Sequence, residues 1–99
     1  MTEMLDEPWD LSPAVALRPE PFGAMAYHFG NRKLTFLKRN ELVAVVRGLA
    51  SHPDVRGALE AAGIREVDWP GYVAALQGLA GTDMIRPRAT TSADQKVVA

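Results

Sequence analysis

The strongest indication of the fold comes from residues 15–38, VALRPEPFGAMAYHFGNRKLTFLK. Large apolar residues alternate there with polar or small ones, which is the pattern of a half-buried β-strand. The alternation predicts three short strands, at residues 14–18, 24–29 and 32–37. On the second strand the smaller residues share one face with a histidine and the larger ones share the other: Ala24, Ala26 and His28 against Met25, Tyr27 and Phe29.

Prolines and glycines mark the ends of these strands. Pro19 and Pro21 follow the first strand and are expected to end it. Gly30 and Asn31 separate the second strand from the third, and both residue types tolerate a positive φ. A two-residue hairpin turn is therefore predicted between those strands, which makes the sheet antiparallel.

The period of the apolar residues changes from two to about 3.6 after residue 40, which indicates helices. Three helices are predicted, at residues 40–49, 55–62 and 68–80. Their expected boundaries are Asn40 and Asp68 as N-caps and Gly63 as a left-handed residue after the second helix. Three antiparallel strands followed by three helices predict an α+β, winged-helix-like fold, with a short closing strand near residues 84–85.

Length and composition indicate the number of domains, the character of the two terminal segments and the location of the protein. The 99 residues set a single domain as the expectation. Residues 1–13 carry four acids and no base, and we expect an acidic N-terminal segment without a rigid scaffold. Residues 89–99 are small and polar, so a disordered tail is predicted beyond a folded domain at 14–88. No apolar run exceeds five residues, and the start lacks basic residues, so we expect no membrane segment and a cytoplasmic location.

Residues that could perform chemistry are sparse. The chain has no cysteine, which excludes disulfides, thiolate metal ligands and an iron–sulfur cluster held by its own thiolates. The two histidines, His28 and His52, are far apart in sequence and lack neighbouring metal ligands. No glycine-rich phosphate-binding motif is present. We therefore expect a protein that is not an enzyme and that uses neither a metal nor a cofactor.

Charge is distributed unevenly. Residues 11–40 contain five bases and one acid, and the bases cluster around the third predicted strand: Arg18, Arg32, Lys33, Lys38 and Arg39. A basic edge strand can attract an acidic partner strand, because its N–H and C=O groups are unpaired. Lysines can equally protect an edge from unwanted pairing, and both interpretations predict the same residues.

The third predicted helix, DWPGYVAALQGLA at residues 68–80, contains neither lysine nor arginine. A recognition helix that enters the major groove of DNA normally carries such bases, so the helix argues against DNA binding. Its apolar residues are more numerous than a thin domain needs. Trp69 and Tyr72 are predicted to line a groove, and Val73, Leu76 and Ala80 to join the core.

Three stretches resemble a known family: VALRPEPFGAMAYHFGNRKLTFLK (15–38), LVAVVRGLASHP (42–53) and DMIRPR (83–88). They resemble the mycofactocin biosynthesis chaperones, MftB, and more distantly the PqqD-like peptide-recognition domains. The resemblance covers about residues 9–88 and includes the upstream pattern Trp9-x-Leu11-x-Pro13. It implies that residues 14–88 form a PqqD-like peptide-recognition domain.

The resemblance implies a non-catalytic function. Such chaperones bind the acidic leader of a ribosomally made precursor peptide and present it to a radical S-adenosylmethionine maturase. That maturase would hold the iron–sulfur cluster, and would decarboxylate and cross-link the C-terminal Val-Tyr of the precursor. The leader would add as a strand to the third strand and lie against the third helix. Carried onto this sequence, the peptide-binding residues are Arg32, Lys33, Leu34, Thr35, Phe36, Leu37, Trp69, Tyr72, Val73, Leu76 and Leu79.

Two other functions remain open at this point. A small winged-helix transcription factor would bind duplex DNA, and an interaction domain that only scaffolds an enzyme would bind the maturase without the peptide. An unprotected edge strand can also pair with a second copy of itself, so a homodimer through that edge is kept as an alternative.

Overall fold

Eight strands and helices follow one another in residues 4–88, the part of the chain that the computed structural model describes. In chain order they are β1 (Trp9–Leu11), β2 (Val15–Glu20), β3 (Gly23–His28), β4 (Leu34–Leu37), α1 (Asn40–Gly48), α2 (Val55–Ala61), α3 (Trp69–Gly81) and β5 (Ile85–Pro87). The predicted α+β fold, with a three-stranded antiparallel sheet and three helices, is confirmed. The tail predicted at residues 89–99 lies outside the described residues.

The main sheet has the order β2-β3-β4 and is antiparallel throughout. Its inner face is built by Ala24, Ala26 and His28, which are buried against the helices, whereas Met25 and Tyr27 are half-buried on the outer face. The predicted faces of the second strand are therefore confirmed for these five residues. Small inner side chains allow the helices to pack closely on the sheet.

The connection between β3 and β4 differs from the predicted two-residue turn. His28 N–H donates to the carbonyl of Lys33 at 3.0 Å, so residues 29–32 form a four-residue loop. The left-handed residue is Arg32, with φ 63°, and neither Gly30 nor Asn31 has a positive φ. The His28 ring explains the longer loop, because its Nδ1 accepts the N–H groups of Gly30 at 2.9 Å and Asn31 at 3.1 Å.

Two predicted strand boundaries change as a result of the ladder geometry. Arg32 and Lys33 precede β4, which begins at Leu34 and not at residue 32. β2 continues through Pro19 to Glu20, although Pro19 was expected to end it. Proline is tolerated there because it lies on an edge strand, where its missing N–H costs no ladder bond.

The helices lie where the periodicity placed them, but their predicted caps differ. Asn40 is the first residue of α1 and Arg39 occupies the N-cap position without a side-chain bond. Asp68 does precede α3, yet its side chain caps nothing. The side chain that does cap a helix is Asp54, which accepts the N–H of Gly57 at 2.8 Å at the start of α2. Gly63 is left-handed after α2, with φ 77°, as predicted.

A second, two-stranded sheet joins the ends of the described chain. β1 pairs antiparallel with β5, with Leu11 opposite Ile85 and Trp9 opposite Pro87. The closing strand predicted near residues 84–85 is thus confirmed at Ile85–Pro87. Its partner in the acidic segment was not predicted, because a three-residue strand with little alternation gives almost no periodic signal.

The acidic segment is held in place by arginines. Asp6 Oδ1 accepts from Arg56 Nη2 at 2.9 Å, and Asp10 Oδ1 accepts from Arg88 Nε at 3.0 Å. The expectation that these carboxylates lack a rigid scaffold is therefore wrong for residues 4–13. Met4, at the start of the segment, is buried in the core.

The core lies between the inner face of the main sheet and the three helices. Its fully buried large side chains come from both sheets and all three helices: Leu37, Val45, Val46, Leu49, Val55, Leu59, Leu76, Met84 and Ile85. Within residues 4–88, no helix is long and apolar enough to cross a membrane.

Candidate functional site

The outer edge of β4 is unpaired within residues 4–88, because β4 is the last strand of the main sheet. In an antiparallel ladder, successive residues direct their N–H and C=O groups alternately toward and away from the neighbouring strand. The bond from His28 N–H to Lys33 C=O shows that the backbone groups of Lys33 point toward β3, so those of Thr35 and Leu37 point toward β3 as well. Leu34 and Phe36 therefore direct their N–H and C=O groups outward. They form an edge to which another strand can add.

The opposite edge of the main sheet, on β2, is largely blocked. The residues of β2 whose N–H groups point outward are Val15, Leu17 and Pro19, because the bond from Phe29 N–H to Ala14 C=O sets the phase of that ladder. Val15 N–H already donates to Ser12 C=O at 3.0 Å, and Pro19 has no N–H. Such devices protect natural edges from pairing. The sheet therefore offers its pairing groups mainly at β4.

A groove runs beside β4. It has a volume of about 530 Å³, within the range of roughly 300–1,000 Å³ that is usual for ligand pockets. Its walls come from the end of β4, the link from β4 into the first turn of α1, the two residues before α3 and the first half of α3: Phe36, Lys38, Arg39, Leu42, Val67, Asp68, Gly71, Tyr72 and Ala75. The groove mixes apolar walls with charged groups, which suits an amphipathic peptide segment.

Basic residues bracket both ends of the open edge. Arg32 at the end of the loop and Lys33 just before β4 are exposed, and Lys38 and Arg39 are exposed directly after β4. The guanidinium carbon of Arg39 lies 5.8 Å from the centre of the Tyr72 ring. This cation–π contact holds one positive charge at the wall of the groove.

The structure places the residues predicted to bind a peptide at several different locations. Leu34 and Phe36 form the open edge, and Thr35 and Leu37 belong to the same strand but bond toward β3. Arg32 and Lys33 lie just before β4, and Tyr72 lines the groove. Trp69 and Val73 line a different groove on another face of α3, and Leu76 and Leu79 are buried in the core.

The groove at Trp69 has a volume of about 440 Å³ and lies between α3, α2 and the first residues of the described chain. Trp69 is buried, and its Nε1–H donates to the carbonyl of Ile64 at 3.0 Å. Arg56 packs over its ring, with the guanidinium carbon 5.6 Å from the ring centre. These contacts fix Trp69 as part of the body of the domain, away from β4.

Seven residues that line the β4 groove were not among the predicted peptide-binding residues: Lys38, Arg39, Leu42, Val67, Asp68, Gly71 and Ala75. Leu42 has the spacing of a core residue, and its partial exposure depends on how α1 sits against α3. The spacing of Gly71 and Ala75 could have indicated the groove from the sequence. Residues four apart lie on one face of a helix, and two small residues there leave space beside α3.

Described residues 4–88 contain no group of three or more His, Asp or Glu side chains that could hold a metal ion. Buried His28 bonds through Nε2 to Asp83 Oδ2 at 2.9 Å, and its Nδ1 accepts N–H groups of the loop after β3.

An open edge strand, an adjoining groove and bracketing bases together define a small α+β binding domain.

The comparisons with known proteins identify the family. The model of the "Peptide chaperone MftB family" matches residues 8–86. A relative from Mycobacterium tuberculosis, named "Peptide chaperone MftB", is 54% identical over 86 residues, covering 87% of this chain and 79% of the relative. Proteins of the same name from Mycobacterium ulcerans and Mycolicibacterium smegmatis are 54% and 51% identical, over 84% and 83% of this chain and 76% and 80% of the relatives. The chain therefore belongs to the peptide chaperone MftB family. No solved structure matches it.

Proposed function

We propose that this protein is a non-catalytic, cytoplasmic chaperone of mycofactocin biosynthesis that binds the leader of the precursor peptide as a strand added to β4. The open edge at Leu34 and Phe36, with a groove alongside, is the observation that carries the proposal. Membership of a family named for peptide chaperones supports the general role.

The energetics of such a complex are favourable. Each backbone hydrogen bond to the edge contributes about 0.5–1.5 kcal/mol net. Each apolar side chain that is buried in the groove adds roughly 1.5–3 kcal/mol. Ordering a disordered peptide costs on the order of 2–5 kcal/mol. A strand with a few backbone bonds and two or three anchors would then bind with a Kd between about 1 μM and tens of nanomolar.

Charge supports an acidic leader as the ligand. Arg32 and Lys33 at one end of the edge and Lys38 and Arg39 at the other would attract carboxylates that flank the added strand. Exposed charges chiefly raise the association rate, and their effect falls with salt. Binding should therefore weaken as the salt concentration rises.

The chemistry of maturation would belong to the partner. We infer that the bound leader is presented to a radical S-adenosylmethionine maturase, which decarboxylates and cross-links the C-terminal Val-Tyr of the precursor. This chain has no cysteine and so brings no thiolate for an iron–sulfur cluster. The chaperone would supply binding and positioning.

Binding of duplex DNA is less well supported. α3 lacks arginine and lysine, and four of its large apolar residues are buried: Trp69, Tyr72, Leu76 and Leu79. A helix packed in this way has few side chains left to contact bases. A domain that only scaffolds the maturase would have no use for the groove beside β4.

A calorimetric titration with the precursor peptide encoded beside the gene, at two salt concentrations, tests the proposal. Gly71→Glu is the informative variant, because a Cβ at Gly71 meets no atom within 4 Å, so the side chain fits the fold but fills the groove. Gly78→Glu is the matched control: its Cβ also meets nothing within 4 Å, and it lies two turns farther along α3, outside the groove.

We expect the wild type and Gly78→Glu to bind one peptide each, more weakly at high salt, and Gly71→Glu to bind about 30-fold more weakly or worse. Equal affinities for the two variants would contradict binding in the groove. Failure of the folded wild type to bind, both alone and with the maturase added, would contradict the chaperone function itself.

A further inference from the structure

The face of the main sheet that points away from the helices carries exposed apolar side chains beside the open edge. Phe36 is 51% exposed, Leu34 49% and Phe22 42%. The rings of Phe22 and Phe36 make an edge-to-face contact with centres 5.7 Å apart. We call these three residues the outer cluster. Such a concentration of exposed large apolar residues in a small domain usually marks an interaction surface.

The outer cluster continues two rows of side chains that cross the sheet toward its open edge. Phe36 lies opposite Met25 of β3, and Leu34 lies opposite Tyr27. Residues directly opposite each other in a ladder point to the same face of the sheet. A strand added to β4 would extend both rows by one residue each, on the outer face.

The phase of the ladder fixes which residues of the added strand these are. Leu34 and Phe36 direct their N–H and C=O groups outward, so the peptide residues opposite them form the hydrogen-bonded pairs. The side chains of those two peptide residues would contact Leu34 and Phe36. The peptide residue between them would point the other way, toward the groove against α3.

We propose that the outer cluster is the second half of the peptide site and that it binds large apolar side chains at two alternate positions of the leader, opposite Leu34 and Phe36. This inference rests on the proposed function. It makes the recognised element a run of three consecutive apolar residues, because the outer cluster binds the first and third and the groove binds the second. Carboxylates on either side of this run would lie near Lys33 and Lys38.

Charge selects the peptide over a second copy of this chain as the occupant. Pairing of β4 with itself in the antiparallel sense would bring Lys33 of one copy near Lys38 of the other. Pairing in the parallel sense would bring each lysine near its own equivalent. Like charges across a strand pair are destabilising, whereas carboxylates at both ends of a leader segment are complementary to all these bases.

The test is a titration of two phenylalanine variants with the precursor leader. Phe22 lies in the turn between β2 and β3, outside the groove and off the edge, yet it packs on Phe36 of β4. Phe29 is the matched control, because it is 65% exposed and packs on Tyr27, one strand farther from the edge. We expect Phe22→Ala to raise Kd about 5- to 10-fold and Phe29→Ala to change it less than about twofold.

A photo-crosslinking leader provides a measurement that does not depend on these variants. Benzophenone placed in turn at three consecutive positions of the bound run should label the outer cluster from the first and third and α3 from the second. The inference is overturned if all three positions label α3, or if Phe22→Ala binds like the wild type while Gly71→Glu does not. Loss of all binding by the wild type would instead overturn the proposed function.

Discussion

The two sheets of this protein use backbone pairing in opposite ways. In the small sheet, β1 and β5 pair with each other, and Arg88, which follows β5, bonds the pair to the link between α1 and α2. In the main sheet, β4 keeps one edge unpaired beside exposed apolar side chains. The first arrangement contributes stability to the domain, and the second leaves hydrogen-bonding groups free for the strand addition proposed above. Stability and binding can therefore be changed separately.

Arg88 is the centre of the closed arrangement. Its Nη2 donates to the carbonyls of Leu49 at 2.7 Å and His52 at 2.9 Å, in the link between α1 and α2. Its Nε donates to the side chain of Asp10 in β1 at 3.0 Å. One side chain thus connects both strands of the small sheet to the helices.

Arg88→Ala should give the largest effect on stability. The carbonyls of Trp9, Leu49 and His52 and the carboxylate of Asp10 would lose a donor, so the free energy of unfolding should fall by about 2–4 kcal/mol. Leader affinity of the folded variant should stay within about twofold of the wild type. Urea unfolding and calorimetry measure the two quantities. Arg86→Ala, two residues away and about half exposed, is the control and should cost less than about 1 kcal/mol.

Phe36→Pro should have the opposite effect to Arg88→Ala: a large loss of leader affinity with little change in the free energy of unfolding. Proline removes the outward N–H of β4, so the leader should bind at least about tenfold more weakly than to Phe36→Ala, which keeps that donor. Unfolding of the two variants should be similar. Thr35→Pro, whose lost N–H faces β3, should instead destabilise β4 itself. Equal leader affinities of Phe36→Pro and Phe36→Ala would contradict addition of the leader at this edge.

The smallest effect on stability is expected at the contact between His28 of β3 and Asp83, which lies just before β5. The hydrogen bond from His28 holds the pKa of Asp83 below its usual 3.8, with further help from the positive charge of Arg86. Because the folded pKa is the lower one, ionised Asp83 stabilises the fold above pH 3.8, and this contribution is lost as pH falls through the folded pKa.

Comparison with Asp83→Asn measures this contribution. The wild type should be the more stable of the two at neutral pH, and the difference should shrink as the pH is lowered below about 4. Urea unfolding of both proteins across that range provides the measurement. A difference independent of pH would show that the charge of Asp83 does not matter.

Local patterns in the sequence predicted the main sheet and the helices. Alternation placed Ala24 and Ala26 on one face of the strand and Met25 and Tyr27 on the other, because successive side chains of a strand point to opposite faces. The loop after β3 could not be predicted in the same way. Its length depends on the His28 ring, which is held by Asp83, 55 residues away. A long-range bond of this kind leaves no trace in the local pattern.

The candidate site was predictable to a similar extent. The edge strand at Leu34 and Phe36 follows from alternation together with the order of the strands. Which face of α3 borders the groove depends on how the helix is rotated about its axis, and its apolar residues cover more than one face. The apolar pattern correctly separated Tyr72, which lines the groove, from Leu76, which is fully buried, but it grouped Trp69 with Tyr72, although Trp69 lies on another face of α3.

Pro19 has a consequence for stoichiometry. A domain with two open edges could pair at both and grow into a linear polymer, as amyloid-forming chains do. With the β2 edge largely blocked by Pro19 and by the bond from Val15 to Ser12, one strand added at β4 completes the sheet. Under the proposed function, each molecule would therefore bind a single leader strand and would not recruit a second molecule through its other edge.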